Sequence, residues 1–222
     1  TITLPTPSGN LATNNQSATC VVNAGEEVRF YETTTGNYIT TVTAGATSLG
    51  STTARVFVDG TNQLVPACNM PQYETAVMQR HWVITPTTNG SATVRLPYTN
   101  GELTNVAAAS VTSSSPDDLV TGQNSVLLSK YSAGGLGTPT YTSTVNANPN
   151  DNCTPGGTTL HTNSAIGSNP VPTITSMYSD FSITGFSEFW LHGMTVTSPL
   201  PVTLSNFSAK CEDNGKTRVS WT

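Results

Sequence analysis

The chain has 222 residues, a net charge of −5 and a pI near 5.0, and only 9% of its residues are charged. Its Lys and Arg residues are scattered singly, which excludes the basic stripe of a nucleic-acid-binding protein. No apolar run approaches the roughly 18 residues of a membrane-spanning helix, so membrane insertion is not expected. No signal peptide opens the sequence, and we therefore expect a mature chain or an excised segment.

Short runs of alternating apolar and polar residues predict β-strands from the first third of the chain onwards. Segments 26–32 and 37–43 flank the turn sequence TTTG, which predicts a β-hairpin. Segment 53–60 is a strand that ends at a turn. Segment 74–86 has the strongest strand pattern, and segment 91–99 is expected to pair with it as its antiparallel partner.

The alternation in segment 74–86 also predicts which side chains share a face. One face carries Met78, Arg80, Trp82 and Ile84, and the other carries Val77, Gln79, His81 and Val83. With two apolar neighbours on its own face, Trp82 is expected in the core.

The second half of the chain continues the same pattern. Further strands are predicted at 124–132, 139–147, 171–178 and 180–196. Only 101–110 resembles a helix, and its length suggests one or two turns. The predicted fold is all-β, an antiparallel β-sandwich of jelly-roll or Ig-like type with little helix.

Four cysteines stand far apart in the sequence, without the close pairs that zinc sites use. An even number of widely spaced cysteines in a Thr-rich chain suggests disulfides and an extracellular setting. We expect Cys20 to pair with Cys68, and Cys153 with Cys211. The alternative for Cys211 is a partner outside this chain.

Two stretches of the sequence resemble modules of large secreted and cell-surface proteins of Bacteroidetes-type bacteria. "SITGFSEFWLHG" followed by "PLPVTLSNFSAKCEDNGKTRVSWT" is similar to the junction at which such a β-domain closes and an Ig- or fibronectin-like module opens. "MQRHWVITP" and "VRLPYT" resemble that family's paired strand motifs, through the residues Arg80, Trp82, Ile84, Pro86, Val94, Leu96, Tyr98 and Thr99. Cys211 departs from the family pattern.

The resemblance implies a module of a longer exported polypeptide that ends in a C-terminal signal for type IX secretion. Residues 1–197 would then form a β-sandwich, and residues 198–222 a linker with the first strand of a following module. Neighbouring domains of the same polypeptide are the partners this implies. Such modules accompany glycanases, proteases and adhesins alike, so the resemblance does not fix a biochemical role.

The candidates for catalysis have simpler structural explanations. "GFSEF" around Ser187 lacks the second glycine of a nucleophile elbow. His81 and His192 fall within or beside predicted strands, where packing roles are expected. Asp180 and Glu188 are a candidate carboxylate pair, which a glycosidase would need in one cleft. We therefore expect a protein that is not an enzyme and that uses no cofactor.

Binding residues are sought among loop carboxylates and aromatic rings. Asp117 and Asp118 form a turn, or alternatively part of a structural calcium site, because loop oxygens are the ligands Ca²⁺ prefers. Trp190, Tyr131 and Tyr141 are candidates for stacking on sugar rings. The leading function is non-catalytic adhesion or binding of a polysaccharide or cell-surface glycan. The alternatives are a structural spacer without a ligand and, behind it, a hydrolase domain.

Overall fold

The computed structural model describes residues 6–58, 64–66, 74–112, 119–131, 158–193, 207–211 and 217–221. Side chains are described within these ranges except at 64–66, 74–75, 111–112, 131, 158–160, 207–211 and 217–221. Two large sheets of antiparallel strands enclose one apolar core between them. The expected all-β antiparallel sandwich is therefore confirmed.

The first sheet contains seven strands. In chain order they are β1 (Gln16–Val22), β4 (Gly50–Val58), β5 (Leu64–Pro66), β6 (Glu74–Pro86), β8 (Leu127–Tyr131), β9 (Thr158–Thr162) and β12 (Glu188–His192). Their spatial order is β1-β4-β6-β12-β8-β9, and β5 also pairs with β6.

The second sheet contains five strands in the order β10-β11-β7-β3-β2. In chain order they are β2 (Glu27–Tyr31), β3 (Tyr38–Ala44), β7 (Ala92–Tyr98), β10 (Ala165–Ser168) and β11 (Met177–Ile183). The pairing of β2 with β3 confirms the hairpin predicted around TTTG.

The core lies between the two sheets and follows the alternation of the sequence. Met78, Trp82 and Ile84 of β6 are fully buried, as are Val94 and Leu96 of β7 opposite them. The indole Nε1 of Trp82 donates to the carbonyl oxygen of Ile39 over 3.1 Å, so its one polar group is satisfied inside the core. The predicted core position of Trp82 is confirmed.

The predicted pairing of segment 91–99 with segment 74–86 is wrong. β7 pairs with β3 and β11 in the second sheet, whereas β6 pairs with β4 and β12 in the first. Alternation identifies the buried face of each strand. The same alternating pattern is found when two strands pair side by side and when they face each other across a core, so the pattern does not identify a strand's partner. The five connecting residues therefore cross between the sheets.

The predicted strand 171–178 is also wrong, because extended pairing begins only where β11 starts at Met177. Pro170 and Pro172 lack the N–H that a ladder requires. Val171 and Ile174 instead pack against Tyr38 in a small apolar cluster separate from the main core. The predicted strand 180–196 is also not one strand. Its first residues form the end of β11, and Glu188–His192 form β12.

One α-helix, α1 (Asn100–Thr112), follows β7 and is longer than the one or two turns expected. A capping box starts it: the N–H of Thr99 donates to Glu102 over 2.7 Å, and the N–H of Glu102 donates to Thr99 over 3.0 Å. The Ala-rich middle favours continued helix. Glu102 also contacts Arg80 of β6, and this contact holds the start of the helix against the first sheet.

Strands β13 (Phe207–Cys211) and β14 (Thr217–Trp221) pair with each other as a separate two-stranded sheet. β14 matches the strand predicted near the end of the chain, where the resemblance places a following module. The predicted strand 139–147 lies outside the described residues.

Candidate functional site

Trp190 is buried, with 1% of its surface exposed, so it is not the open sugar-stacking ring that the sequence suggested. Its ring stacks on His81 at a centroid distance of 3.8 Å and an interplanar angle of 13°. His81 stacks in turn on Phe57 at 5.2 Å and 10°. The three rings form a row across β12, β6 and β4, and only Phe57 is half-exposed.

Glu188, on the same strand as Trp190, accepts the hydrogen bond of the buried indole. The indole Nε1 of Trp190 donates to Glu188 Oε1 over 2.8 Å, and His81 Nε2 lies 4.0 Å from the same oxygen. Burial lowers the pKa of His81 to about 3, so the imidazole is neutral and this contact is not an ion pair. The row is thus a packed feature of the first sheet.

A serine and a histidine lie within hydrogen-bond distance on neighbouring strands, a pair that sequence spacing could not predict. Ser129 Oγ on β8 is 2.9 Å from His192 Nε2 on β12, and His192 Nδ1 is 2.8 Å from the carbonyl oxygen of Gly193. A carbonyl only accepts, so Nδ1 carries the proton and Nε2 accepts from the serine hydroxyl.

The geometry of this pair is that of a nucleophile and its base, but both side chains are enclosed and not accessible to a substrate. Ser129 has 0% of its surface exposed and His192 has 1%. Burial lowers the pKa of His192 to about 4, which keeps the imidazole neutral. A hydroxyl enclosed in this way is a satisfied buried group with no path for a substrate carbonyl to reach it.

The candidate carboxylate pair of the sequence is separated. Asp180 is on β11 of the second sheet, where Arg95 Nε and Nη2 donate to its two oxygens, each over 2.8 Å. Glu188 is on β12 of the first sheet. The two groups do not share a cleft of the kind a glycosidase needs.

The other predicted site residues fall largely outside the described residues. These are Tyr141, Asp117, Asp118, Cys68 and Cys153. Tyr131 and Cys211 are described in backbone only, as the last residues of β8 and β13. Cys20 is a free, half-buried thiol whose pKa is raised by burial, so the structure gives no support to its expected bond with Cys68.

A groove of about 540 Å³ opens at the end of the second sheet where β3 and β11 begin and β7 ends. Its volume falls within the range of roughly 300–1,000 Å³ typical of small-ligand sites. Its lining combines residues with uncharged hydroxyl or amide groups and apolar residues. The polar side chains are those of Asn10, Thr13, Asn37, Thr99, Thr175 and Ser176, and the apolar ones are those of Leu11 and Ile174.

Arg80 of β6 is the charged residue in the lining of the groove, and it is almost fully buried. Its Nε donates to the two oxygens of Glu102 over 3.1 and 3.3 Å, and Nη2 lies 3.1 Å from Oε1. Nη1 donates to the carbonyl oxygen of Ala12. Arg80 thus joins a strand, the first turn of α1 and the segment before β1.

These contacts engage all three nitrogens of the Arg80 guanidinium, which is therefore held in place by the protein itself. Ser176 is 8% exposed, and its Oγ has no hydrogen-bond partner among the described residues. This oxygen is enclosed and does not open onto the groove.

The wall of the groove is held by a network around the TTTG turn. Asn37 Oδ1 accepts from Ser8 Oγ over 2.7 Å, and Asn37 Nδ2 donates to Gln16 over 3.1 Å. Gly36 has φ +68°, and a Cβ there would collide with the carbonyl oxygen of Thr6. The chain before β1 can therefore lie against this turn only because residue 36 is glycine.

The carboxylate of Glu32 stabilises the same turn. Hydrogen bonds from the hydroxyl of Thr35 and from the N–H groups of Thr34 and Thr35 lower the pKa of Glu32 to about 2. The groove wall is consequently built before any ligand arrives, which reduces the entropic cost of binding.

Comparison of the chain with models of known protein families, with curated proteins and with solved structures finds no match. Within the described ranges, no helix is both long enough and apolar enough to cross a bilayer. The same part of the chain holds no group of three His, Cys, Asp or Glu side chains placed to bind a metal ion.

Proposed function

We propose that this chain is a non-catalytic polysaccharide-binding module of a larger exported protein, and that the groove beside Arg80 is its glycan site. The observation that carries the proposal is the groove itself: an open depression of about 540 Å³ whose lining residues include hydroxyl and amide side chains beside a buried arginine. Sugars offer many hydroxyl oxygens, and such side chains are the groups that pair with them. Leu11, which is half-buried, adds apolar surface for the C–H face of a sugar ring.

An extracellular setting is part of the same proposal. It is supported by the low content of charged residues, by the Thr-rich composition and by the resemblance of the chain's last 40 residues to a junction between exported modules. Domains that precede or follow this one in the polypeptide would be its neighbours. The groove would then keep the parent protein close to its polysaccharide.

A structural spacer without a ligand is the second candidate, and the burial of Trp190 favours it. An exposed, coplanar pair of aromatic rings would have been a direct indication of sugar binding. The coplanar row of Phe57, His81 and Trp190 is instead mostly covered. The spacer proposal predicts that the groove is never occupied.

A hydrolase function has one specific observation in its favour, the contact of Ser129 with His192. Because both residues are buried and a pKa of about 4 makes the imidazole of His192 a weak base, we assign the pair to packing. Catalysis at this pair would require the first sheet to open.

The test is affinity electrophoresis of the chain in gels that contain a panel of soluble polysaccharides, with two Thr→Trp variants. Thr175 is exposed and lines the groove, so Thr175→Trp should fill it and abolish retardation. Thr47 is exposed beyond the other end of β3, and Thr47→Trp serves as the matched control. Retardation of neither the native chain nor the control by any polysaccharide would favour the spacer.

A further inference from the structure

Strand β1 forms an edge of the first sheet, and its second side has no strand partner in the described part of the chain. Its seven residues pair with β4 in unbroken register, from Gln16 opposite Val56 to Val22 opposite Gly50. The backbone N–H and C=O groups that point away from β4 are therefore placed to form a ladder with an added strand.

Edge strands usually carry features that discourage such pairing, and β1 lacks them. Its sequence, QSATCVV, contains no charged residue and no proline, and its register has no bulge. β2, an edge of the second sheet, instead carries Glu27 and Arg29 and a register shift between Phe30 and Tyr31. The edge strand β10 is only four residues long. Of these three edges, β1 alone is unprotected.

The outward face of β1 is suited to contact with another strand. Val21 lies on this face with 60% of its surface exposed, and among the described residues it is the large apolar side chain most open to solvent. The hydroxyl of Thr19, on the same face, is 2.8 Å from that of Thr53 on β4, and Thr53 pairs with Thr85 of β6. These three threonines form a row of hydroxyls that ends at the β1 edge, where another threonine could continue it.

We propose that β1 pairs in antiparallel orientation with β1 of a second copy of this chain. A two-fold axis at Thr19 aligns the whole strand with itself, placing Gln16 opposite Val22 and Ser17 opposite Val21 of the other copy. Thr19 then lies opposite Thr19 of the other copy, and the row of hydroxyls continues from one sheet into the next. Closed two-fold symmetry is the commonest arrangement of protein oligomers, and antiparallel strand pairs outnumber parallel ones.

The absence of charge on β1 favours an identical partner. Each chain has a net charge of −5, but no like charges meet along the paired strands themselves. A ladder of seven residues is only about 23 Å long, so the buried area falls below the roughly 1,200–2,000 Å² of stable interfaces. We therefore expect a weak dimer, with a dissociation constant on the order of 100 μM. Pairing at this edge is independent of whether the groove binds a glycan.

Thr19→Lys tests the register, because it places two like charges opposite each other at the two-fold axis. The dissociation constant of the dimer should rise roughly 5- to 10-fold, and the thermal midpoint should change little because Thr19 is exposed. Thr85→Lys is the matched control with the same change in net charge. Thr85 is exposed in the same row of hydroxyls, but it lies on β6 in the interior of the sheet.

The experiment measures sedimentation velocity from about 10 μM to about 1 mM, a range that brackets the expected dissociation constant. The samples are the native chain, Thr85→Lys, Thr19→Lys, Thr19→Glu and an equimolar mixture of the two Thr19 variants. We expect dimers in the native chain and in Thr85→Lys, weaker association in each Thr19 variant alone, and recovery in the mixture, where opposite charges meet.

Three results would overturn the proposal. The native chain could stay monomeric over the whole range, which would leave β1 without an identical partner. Thr19→Lys could associate as strongly as Thr85→Lys, which would assign the dimer to another surface. The mixture could fail to recover, which would exclude a two-fold axis at Thr19.

Discussion

Two arginine–carboxylate pairs occupy different environments in this sandwich. Arg80 and Glu102 are almost fully buried beside the groove and join a strand to a helix cap. Arg95 and Asp180 are a cross-strand pair of the second sheet, with 27% of the arginine side chain exposed. Arg95 also lies over the ring of Tyr178, 4.2 Å from its centroid.

The comparison shows that similar contacts have different consequences in different environments. A buried pair contributes little net stability when intact, but losing one partner leaves an uncompensated charge away from water. In the second pair Arg95 reaches solvent, so the interaction is partly screened and its loss costs less. The first pair therefore constrains the groove and the helix start, whereas the second supports the ladder between β7 and β11.

Glu102→Gln should have the largest effect on stability. Glutamine keeps the shape of the side chain and can still serve a capping box, so the change isolates the loss of charge beside Arg80. We expect the free energy of unfolding to fall by about 3–5 kcal/mol, measured by urea denaturation. A smaller loss of unfolding free energy than that caused by Asp180→Asn, the matching change in the Arg95–Asp180 pair, would contradict the contrast between the two environments.

The buried imidazoles of the first sheet, those of His81 and His192, are a third environment, and mild acid tests it. Burial lowers the pKa of His192 to about 4 and that of His81 to about 3, against an ordinary value of 6.5. As the pH falls below 6.5, the unfolded chain binds protons that the folded chain excludes, and stability is lost. His192 stops contributing to this loss below about pH 4.

Between pH 7 and pH 5.5 the two histidines together should cost on the order of 2 kcal/mol. Urea midpoints measured at several pH values check this. Stability that is constant over this window would mean that the imidazoles keep an ordinary pKa in the folded chain, and stability that rises towards pH 5.5 would mean that they are protonated there.

Asp180→Asn should have a smaller effect, about 1 kcal/mol, because an unpaired Arg95, 27% exposed, can still be hydrated and asparagine retains one acceptor for it. Denaturation in low and high salt provides the control: the difference between native and variant chains should shrink as salt rises. An effect as large as that of Glu102→Gln would show that exposure does not distinguish the pairs.

The sequence was sufficient for the fold class and for the core strand β6, because alternation over 13 residues leaves little ambiguity about which side chains are buried. It also contained an unused signal for the start of α1. Thr99 and Glu102 have the spacing of a capping box, and recognising it would have extended the predicted helix in the N-terminal direction.

The groove could not be predicted, because it is assembled from segments far apart in the chain. The groove combines Arg80 of β6 with residues of four separate connecting segments, and only the strand order brings them to one end of a sheet; these residues are Asn10, Asn37, Thr99 and Ser176. The burial of Trp190 depends in the same way on neighbouring strands, through its stacking on His81. Local periodicity shows which face a residue occupies, but not what covers that face.

The most direct test of the glycan site is a map of amide chemical-shift changes as a retarding oligosaccharide is titrated into the labelled chain. The groove predicts that the affected amides cluster in residues 9–13 and 174–176 and around Asn37 and Thr99. Amides of β9, at one edge of the first sheet, should be unaffected. Changes centred instead on β4 and β12 around Phe57 and Trp190 would contradict the assignment of the groove as the binding site.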